Sequence, residues 1–136
     1  MTVALEPLSD LSTLWPRYLD GVAFAKRVNR PSVKVMADLN YFLKLGQPLE
    51  HIAIDPEYCA HVHIAEGAGQ PGIGDRTALY ERLFRILRDI KYVRGVSCAC
   101  AWVSTDGGEL DFGRETRKTL AYLQALRARV YAEAGG

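Results

Sequence analysis

Hydrophobic residues fall into four short runs along the 136-residue chain, and each run is followed by a segment with helical spacing. The runs lie at residues 2–8, 32–39, 59–66 and 95–103, bounded by turn-forming residues. Strand, helix, strand, helix, repeated four times at intervals of roughly 30 residues, is what βαβ units require. The pattern predicts an α/β fold of four βα units around a parallel sheet. With no linker or low-complexity segment, residues 1–136 are predicted to form a single domain.

Composition changes this picture little. The chain is 49% hydrophobic and 24% charged, with a formal net charge of +1, so it has no electrostatic footprint for nucleic acid or an anionic membrane. No apolar run approaches the roughly 20 residues of a membrane span. The N-terminal MTVALEPLSD does not resemble a signal peptide. The three cysteines, Cys59, Cys98 and Cys100, are expected to be reduced and buried, so a cytoplasmic location is predicted.

Alternation along the strands sorts side chains onto two faces of the predicted sheet. One face is apolar and suits packing against helices. Its members are Val3, Leu5, Val33, Val35, Ala37, Ala60, Val62, Ile64, Val96, Cys98, Cys100 and Trp102. The other face includes Met36, Cys59 and His61, and its polar residues gather toward the C-terminal end of each strand. In parallel α/β sheets and barrels, chemistry takes place at that end.

Glu6, Asp38 and His63 are predicted to come from three neighbouring strands at the same level of this second face. Two carboxylates and an imidazole form a ligand set suited to Mn²⁺, Mg²⁺ or Co²⁺. His61 lies one step deeper on the same face and is interpreted as a supporting or core histidine. The loop GAGQPGIGD at residues 67–75 lacks phosphate-loop spacing, so we interpret it as the rim of a site.

The motifs of the chain, taken in order, resemble the xylose isomerase-like group of sugar isomerases and epimerases, which includes keto-sugar 3-epimerases and endonuclease IV. The resemblance covers almost the whole chain and corresponds to the C-terminal half of that group's (βα)8 TIM barrel. The matching segments are VALEPL, VKVMADLNYF, HVHIAE, PGIGD and IKYVRGVSC. The ordered series is more specific than any one motif.

The resemblance implies a role for individual residues. It makes Glu6, Asp38 and His63 metal ligands, with Glu6 also the catalytic acid–base group. Tyr41 stands where the group has a substrate-contacting histidine, and Tyr41, His61 and Glu66 are the candidate substrate contacts. The implied reaction is metal-dependent proton transfer next to the carbonyl of a small keto sugar or polyol.

Departures from the group's pattern oppose this function. The glutamate that supplies the fourth metal ligand and a second acid–base group is replaced by Ala99, or by Cys100 in an alternative alignment. A three-ligand site is expected to hold its ion more weakly. Glu66, Asp106 or Glu109 are possible substitutes. The alternative is therefore a non-catalytic or degenerate half-barrel subunit. Endonuclease-like DNA binding is disfavoured because the chain has no basic stripe.

Four βα units cannot close a barrel, so two strand edges are predicted to be unpaired, at residues 2–8 and 95–103. The first expectation is a homodimer that pairs the first strand of one copy with the fourth strand of the other. The second is a partner chain that supplies the other half-barrel.

Overall fold

The computed structural model describes residues 1–133, and its secondary structure alternates between strand and helix. The strands are β1 (Val3–Leu5), β2 (Val33–Asp38), β3 (Cys59–Ile64) and β4 (Val96–Cys98). The α-helices are α1 (Tyr18–Val28), α2 (Leu39–Lys44), α3 (Thr77–Asp89) and α4 (Phe112–Ala132). Short 3₁₀ segments cover Ser9–Leu11, Leu49–Ala53 and Pro56–Tyr58.

The four strands form one sheet in the order β1-β2-β3-β4, and every neighbouring pair is parallel. This confirms the predicted α/β fold of four βα units. The two outer strands are shorter than predicted, with three residues each. Each of them pairs on one side only, so fewer backbone hydrogen bonds hold its ends in extended conformation.

The hydrophobic core lies between the sheet and its helices. Val35, Ala37, Val62 and Ile64 of the two central strands are at most 1% exposed. They pack with helix residues that are equally apolar and buried. These include Val22, Ala25, Tyr80, Leu83, Leu126 and Val130. The predicted apolar face is confirmed for these four residues of the central strands, because alternate residues of a strand share one face.

The alternation fails at the start of β3. Cys59 was expected on the polar face and Ala60 on the helix face, but Cys59 is 1% exposed and belongs to the core. The pairing shifts between Val35 opposite Cys59 and Met36 opposite His61. One extra residue in β3 takes up this shift, as in a β-bulge, and moves the next side chains to the opposite face. The prediction for Cys59 and Ala60 was therefore wrong, whereas those for His61 and His63 hold.

The second βα unit has the shortest helix. Helix α2 ends at Lys44, and Gly46 follows with a φ of +59°, a conformation that favours glycine. The 3₁₀ segment Leu49–Ala53 continues the cover of the sheet and buries Leu49 and Ile52. Gln47 accepts a hydrogen bond from the backbone N–H of Tyr18 at 3.0 Å, which connects this region to α1.

The face of the sheet away from the helices is open. Ala4 is exposed, and Lys34, His61 and Ser97 are only half-buried. This face corresponds to the interior of a closed barrel, which side-chain layers normally fill. Within residues 1–133, no helix has the length and apolar character needed to cross a membrane.

Candidate metal and substrate site

The ends of three neighbouring strands bring Glu6, Asp38 and His63 together. Asp38 is the last residue of β2 and pairs directly with His63 of β3. Glu6 follows the last residue of β1 and lies on the same open face, because side chains alternate along a strand. Parallel strands present their C-terminal ends at one edge of the sheet, so a contact between residues far apart in the sequence is built into the topology.

The ligand atoms of these three side chains all lie within 4.8 Å of one another. His63 Nδ1 is 3.5 Å from Asp38 Oδ2 and 3.7 Å from Glu6 Oε1. These separations are longer than hydrogen bonds. They are short enough for all three groups to contact one small cation, since metal–ligand bonds of about 2.0–2.2 Å to each atom span such gaps.

Asp38 is held in place before any ligand binds. Its Oδ1 accepts a hydrogen bond from the backbone N–H of Asn40 at 2.8 Å, which caps α2. The residue is 8% exposed, and this burial raises the pKa of its carboxyl, against the lowering effect of the Asn40 N–H and of His63. Burial leaves this carboxylate short of water, and a bound cation would offset that loss.

His63 has a free acceptor or donor atom at the centre of the cluster. Its Nδ1 is buried and has no hydrogen-bond partner. Buried polar atoms are normally paired, so an unpaired Nδ1 beside two carboxylates fits the position of a ligand to a cation. An imidazole nitrogen with two carboxylate oxygens fits a divalent ion of the Mn²⁺, Mg²⁺ or Co²⁺ type and does not favour thiolate-binding ions.

His61 lies two residues before His63 on the same face of β3 and contacts the neighbouring strand β4. Its Nε2 is 2.7 Å from Ser97 Oγ on β4, and its ring stands edge-on to that of His63, with ring centres 5.2 Å apart. Burial, and then the neighbouring His63, lower the pKa of His61, so the neutral imidazole is favoured. The interpretation of His61 as a supporting histidine agrees with these contacts, and its contact with substrate stays a prediction.

Tyr41 lies in the first turn of α2, beside the carboxylates. Burial raises the pKa of its phenol, and the charges of Asp38 and Glu6 raise it further. The hydroxyl therefore keeps its proton at neutral pH and is available as a hydrogen-bond donor. This position agrees with the predicted substrate contact, which remains a prediction.

Glu66 forms hydrogen bonds that hold the glycine loop. Its Oε2 accepts hydrogen bonds from the backbone N–H of Gly72 at 3.0 Å and from the Tyr80 hydroxyl at 3.4 Å. Its backbone also pairs with Gly69 in both directions. Glu66 thus fixes the glycine loop through Oε2, while its Oε1 is buried without a hydrogen-bond partner, and its role as a substrate contact stays a prediction.

Two rim residues escaped prediction from the sequence. The side-chain amide of Asn40 donates to the Gly67 carbonyl at 3.1 Å, and its Oδ1 accepts from Arg76 at 3.4 Å. Arg76 also donates to the Ala65 carbonyl at 3.3 Å. These bonds connect the start of α2 to the glycine loop and to the start of α3. The available signal was the position of Asn40, two residues after a strand-end aspartate, where side chains commonly bond to nearby backbone.

The fourth strand adds no ligand. Ala99 follows β4 and is half-buried, and its backbone N–H donates to the Ile64 carbonyl at 3.1 Å. Among the residues that the structure describes, no further carboxylate, histidine or cysteine joins the cluster of three. The arrangement is a cluster of three candidate ligands, exposed on the face of the sheet away from the helices.

Comparison with solved structures identifies the fold. The chain is similar to 3-keto-D-glucoside 4-epimerase from E. coli, with a TM-score of 0.77 and 22% identity over 91% of this chain and 46% of that one. It is also similar to D-psicose 3-epimerase from Clostridium cellulolyticum H10, solved with D-tagatose, with a TM-score of 0.76 and 23% identity over 91% and 48%. No protein-family model matches the sequence. No curated protein matches it either.

The chain therefore has the fold of half of a TIM-barrel epimerase and spans about half the length of these relatives. At this level of identity the likeness shows the fold alone.

Proposed function

We propose that this chain is the metal-binding half of a sugar isomerase- or epimerase-type barrel. The convergence of Glu6, Asp38 and His63 at the strand ends, with His63 Nδ1 buried and unpaired, carries this proposal. The fold shared with two sugar epimerases supports it. The substrate class is a small keto sugar or polyol, and the reaction is proton transfer at the carbon next to a carbonyl.

Glu6, Asp38 and His63 are the residues that would hold a divalent ion such as Mn²⁺, Mg²⁺ or Co²⁺. Such an ion supplies positive charge that polarises the substrate's carbonyl and hydroxyl oxygens and makes the neighbouring C–H more acidic. With three ligands, binding is expected to be weaker than in a four-ligand site.

Glu6 and Asp38 differ in exposure and in how firmly they are held. This difference suits Glu6 to act as the base and Asp38 to hold the metal. The side chain of Glu6 is 34% exposed, whereas that of Asp38 is 9% exposed and is fixed by the Asn40 N–H. Glu6 is therefore the group that can reach substrate and take the proton from carbon onto a carboxylate oxygen. The electron pair of the broken C–H bond forms the new C=C bond, while the carbonyl oxygen takes the charge.

The remaining side chains hold the substrate and shape the mouth of the site. The Tyr41 hydroxyl, which stays protonated, donates a hydrogen bond to a substrate oxygen. His61, bonded to Ser97, limits how far the substrate descends into the sheet interior. The glycine loop, pinned by Glu66, forms the rim.

The alternative function is a half-barrel that binds metal without catalysis. Ala99 favours it, because a second acid–base group is absent from the position that the motifs align with a glutamate. A single carboxylate can remove a proton and return it to the same face, which gives exchange or isomerisation. Inversion of a centre needs a second proton donor.

The site is proposed to work within an assembled barrel in the cytoplasm. The chains of the two similar epimerases are about twice as long, and the unpaired edges of β1 and β4 support a second half-barrel packed against this one. The three cysteines are all free thiols, in keeping with a reducing compartment.

Solvent exchange tests catalysis without requiring the correct substrate stereochemistry. A panel of ketohexoses and hydroxypyruvate is incubated with the protein and Mn²⁺ in D₂O, and loss of the proton next to the carbonyl is followed by NMR. The proposal predicts exchange that is lost in Glu6→Gln and kept in Glu57→Gln, an exposed acid of the 3₁₀ segment before β3. Metal binding without exchange on any substrate would favour the non-catalytic alternative.

A further inference from the structure

One edge of the sheet ends in an apolar groove of about 530 Å³. It lies between β4, α3 and α4, and its walls include Val96, Cys98, Trp102, Leu120 and Leu123. Val96 is 37% exposed and Leu120 is 51% exposed, which is unusual for apolar residues on the packing sides of a strand and a helix. The groove follows the free edge of β4, which pairs only with β3.

This groove has the position of a missing strand. In a (βα)8 barrel, each helix covers its own strand and the one that follows it, so α4 should lie over β4 and its next neighbour. The Leu120 and Leu123 side of α4 faces the groove, with no strand beneath it. An occupant has to be a parallel strand that presents apolar side chains to the helix layer.

The opposite edge of the same chain offers such a strand. In β1, Val3 pairs with Val33 and Leu5 pairs with Val35, so both point toward the helices. Val3 is nevertheless 45% exposed, since β1 has no neighbour on its outer side. β1 of one copy and β4 of another therefore present matching apolar sides and free backbone groups.

The register of the sheet decides whether the two edges fit. Through the strand pairs, Val96 is level with Val62 and with Ala37. Ala37 lies two residues past Val35, which pairs with Leu5, so this level meets β1 at Pro7. A closed barrel of eight strands has a shear of about eight residues, and a two-fold half accumulates about four of them.

The level of Val96 meets β1 at Pro7. A stagger of four residues in either direction from Pro7 therefore places Val96 opposite position 3 or position 11 of a second copy. Leu11 lies in the 3₁₀ segment and cannot pair as a strand, whereas Val3 begins β1. The same register sets Leu5 of the second copy opposite Cys98, again with both side chains toward the helices.

We infer that a second copy of this chain occupies the groove, with its β1 added in parallel to β4, and that the two copies close an eight-stranded barrel. Val3 and Leu5 of each copy fill the groove beside β4 of the other. Two copies also make up the length of the barrel epimerases, each of which this chain covers by about half. This inference does not depend on metal binding or catalysis.

Closure brings a carboxylate to the site that lacks one. In the same register, Ala99 lies opposite Glu6 of the second copy, and both face the interior. The position after β4 that carries no ligand in one copy therefore has a carboxylate of the other beside it.

Complementary variants test the inference. Wild type is expected to have twice the 15.1 kDa chain mass by light scattering at micromolar concentration. The inferred dimer has two equivalent contacts, each between β1 of one copy and β4 of the other. Either Val3→Glu or Val96→Lys places a charge at both contacts and is expected to weaken the dimer by about 100-fold or more. A mixture of the two variants recovers one apolar contact and one Glu–Lys contact, so the mixture should form a dimer. Ile54→Glu, a 59% exposed position away from both edges, is the control and should stay dimeric.

Each outcome is decisive. A monomeric wild type overturns the inference and favours a different chain as the occupant of the groove. A dimeric wild type whose mass is unchanged by either variant shows association through another surface and also overturns it. If a single variant is unfolded by circular dichroism, recovery of a folded dimer on mixing still supports the inference, and failure to recover one contradicts it.

Discussion

At the scale of single residues, the site contains buried polar groups of Asp38 and His63 whose surroundings do not fully compensate for the loss of water. Asp38 carries a carboxyl whose ionised form burial disfavours, and His63 Nδ1 has no partner although it is buried. Both arrangements destabilise the fold without a ligand, because a buried polar group without a partner costs about 1–3 kcal/mol. Such local costs are common where a protein binds a ligand, and they make the site testable through stability.

Asp38→Asn is therefore predicted to stabilise the metal-free protein by about 0.5–2 kcal/mol while removing metal binding. Burial raises the pKa of Asp38 in the folded state, so its ionised form is disfavoured by folding. The contribution of Asp38 to the free energy of unfolding is therefore largest at low pH, where the carboxyl is protonated. It falls as the pH rises through the raised pKa of the folded state. Asparagine keeps the acceptor for the Asn40 N–H without the charge. Urea unfolding with chelator present, at pH 7.5, measures the effect.

Asp75→Asn is the matched control, because Asp75 is exposed and is the last residue of the glycine loop at 67–75. Its effect should stay within about 0.5 kcal/mol. A clear loss of stability in Asp38→Asn would show that the Asp38 charge is already satisfied in the fold.

At the scale of elements, periodicity predicted the four strands and the core of the central pair, because each face of a parallel strand meets a uniform environment. It failed at Cys59, where the shift in register between β2 and β3 is set by packing between strands and leaves no mark in either strand alone.

The glycine loop provides a prediction at this scale. Gly72 has a φ of +98°, and a Cβ there would lie 3.1 Å from the ring of Tyr122 on α4. Its N–H also donates to Glu66. Gly72→Ala combines backbone strain with overpacking and should cost about 2–3 kcal/mol in the free energy of unfolding.

Gly107→Ala separates the two causes. Gly107 has a φ of +77°, but a Cβ there would meet no atom within 4 Å. Strain alone should cost about 1 kcal/mol. Equal losses in the two variants would contradict the packing of Tyr122 against the loop.

At the scale of the whole molecule, the open inner face connects fold and function. The metal-ligand candidates were predictable because strand ends of a parallel sheet share one edge, so three positions in one sequence define a cluster in space. The rim contacts of Asn40 and Arg76 were not predictable in this way, since they depend on how two loops fold toward each other. Closure of the barrel depends on edges that no single strand specifies.

The most direct test of the central claim is Mn²⁺ binding measured by electron paramagnetic resonance, which reports free Mn²⁺ during a titration of the protein. Wild type is predicted to bind one ion per chain at the Glu6, Asp38 and His63 cluster. Asp38→Ala should lose binding, while Asp89→Ala, an exposed acid at the end of α3 paired with Arg88, should keep it. Absence of binding in wild type, or equal binding in wild type and Asp38→Ala, would contradict the claim that this cluster is a metal site.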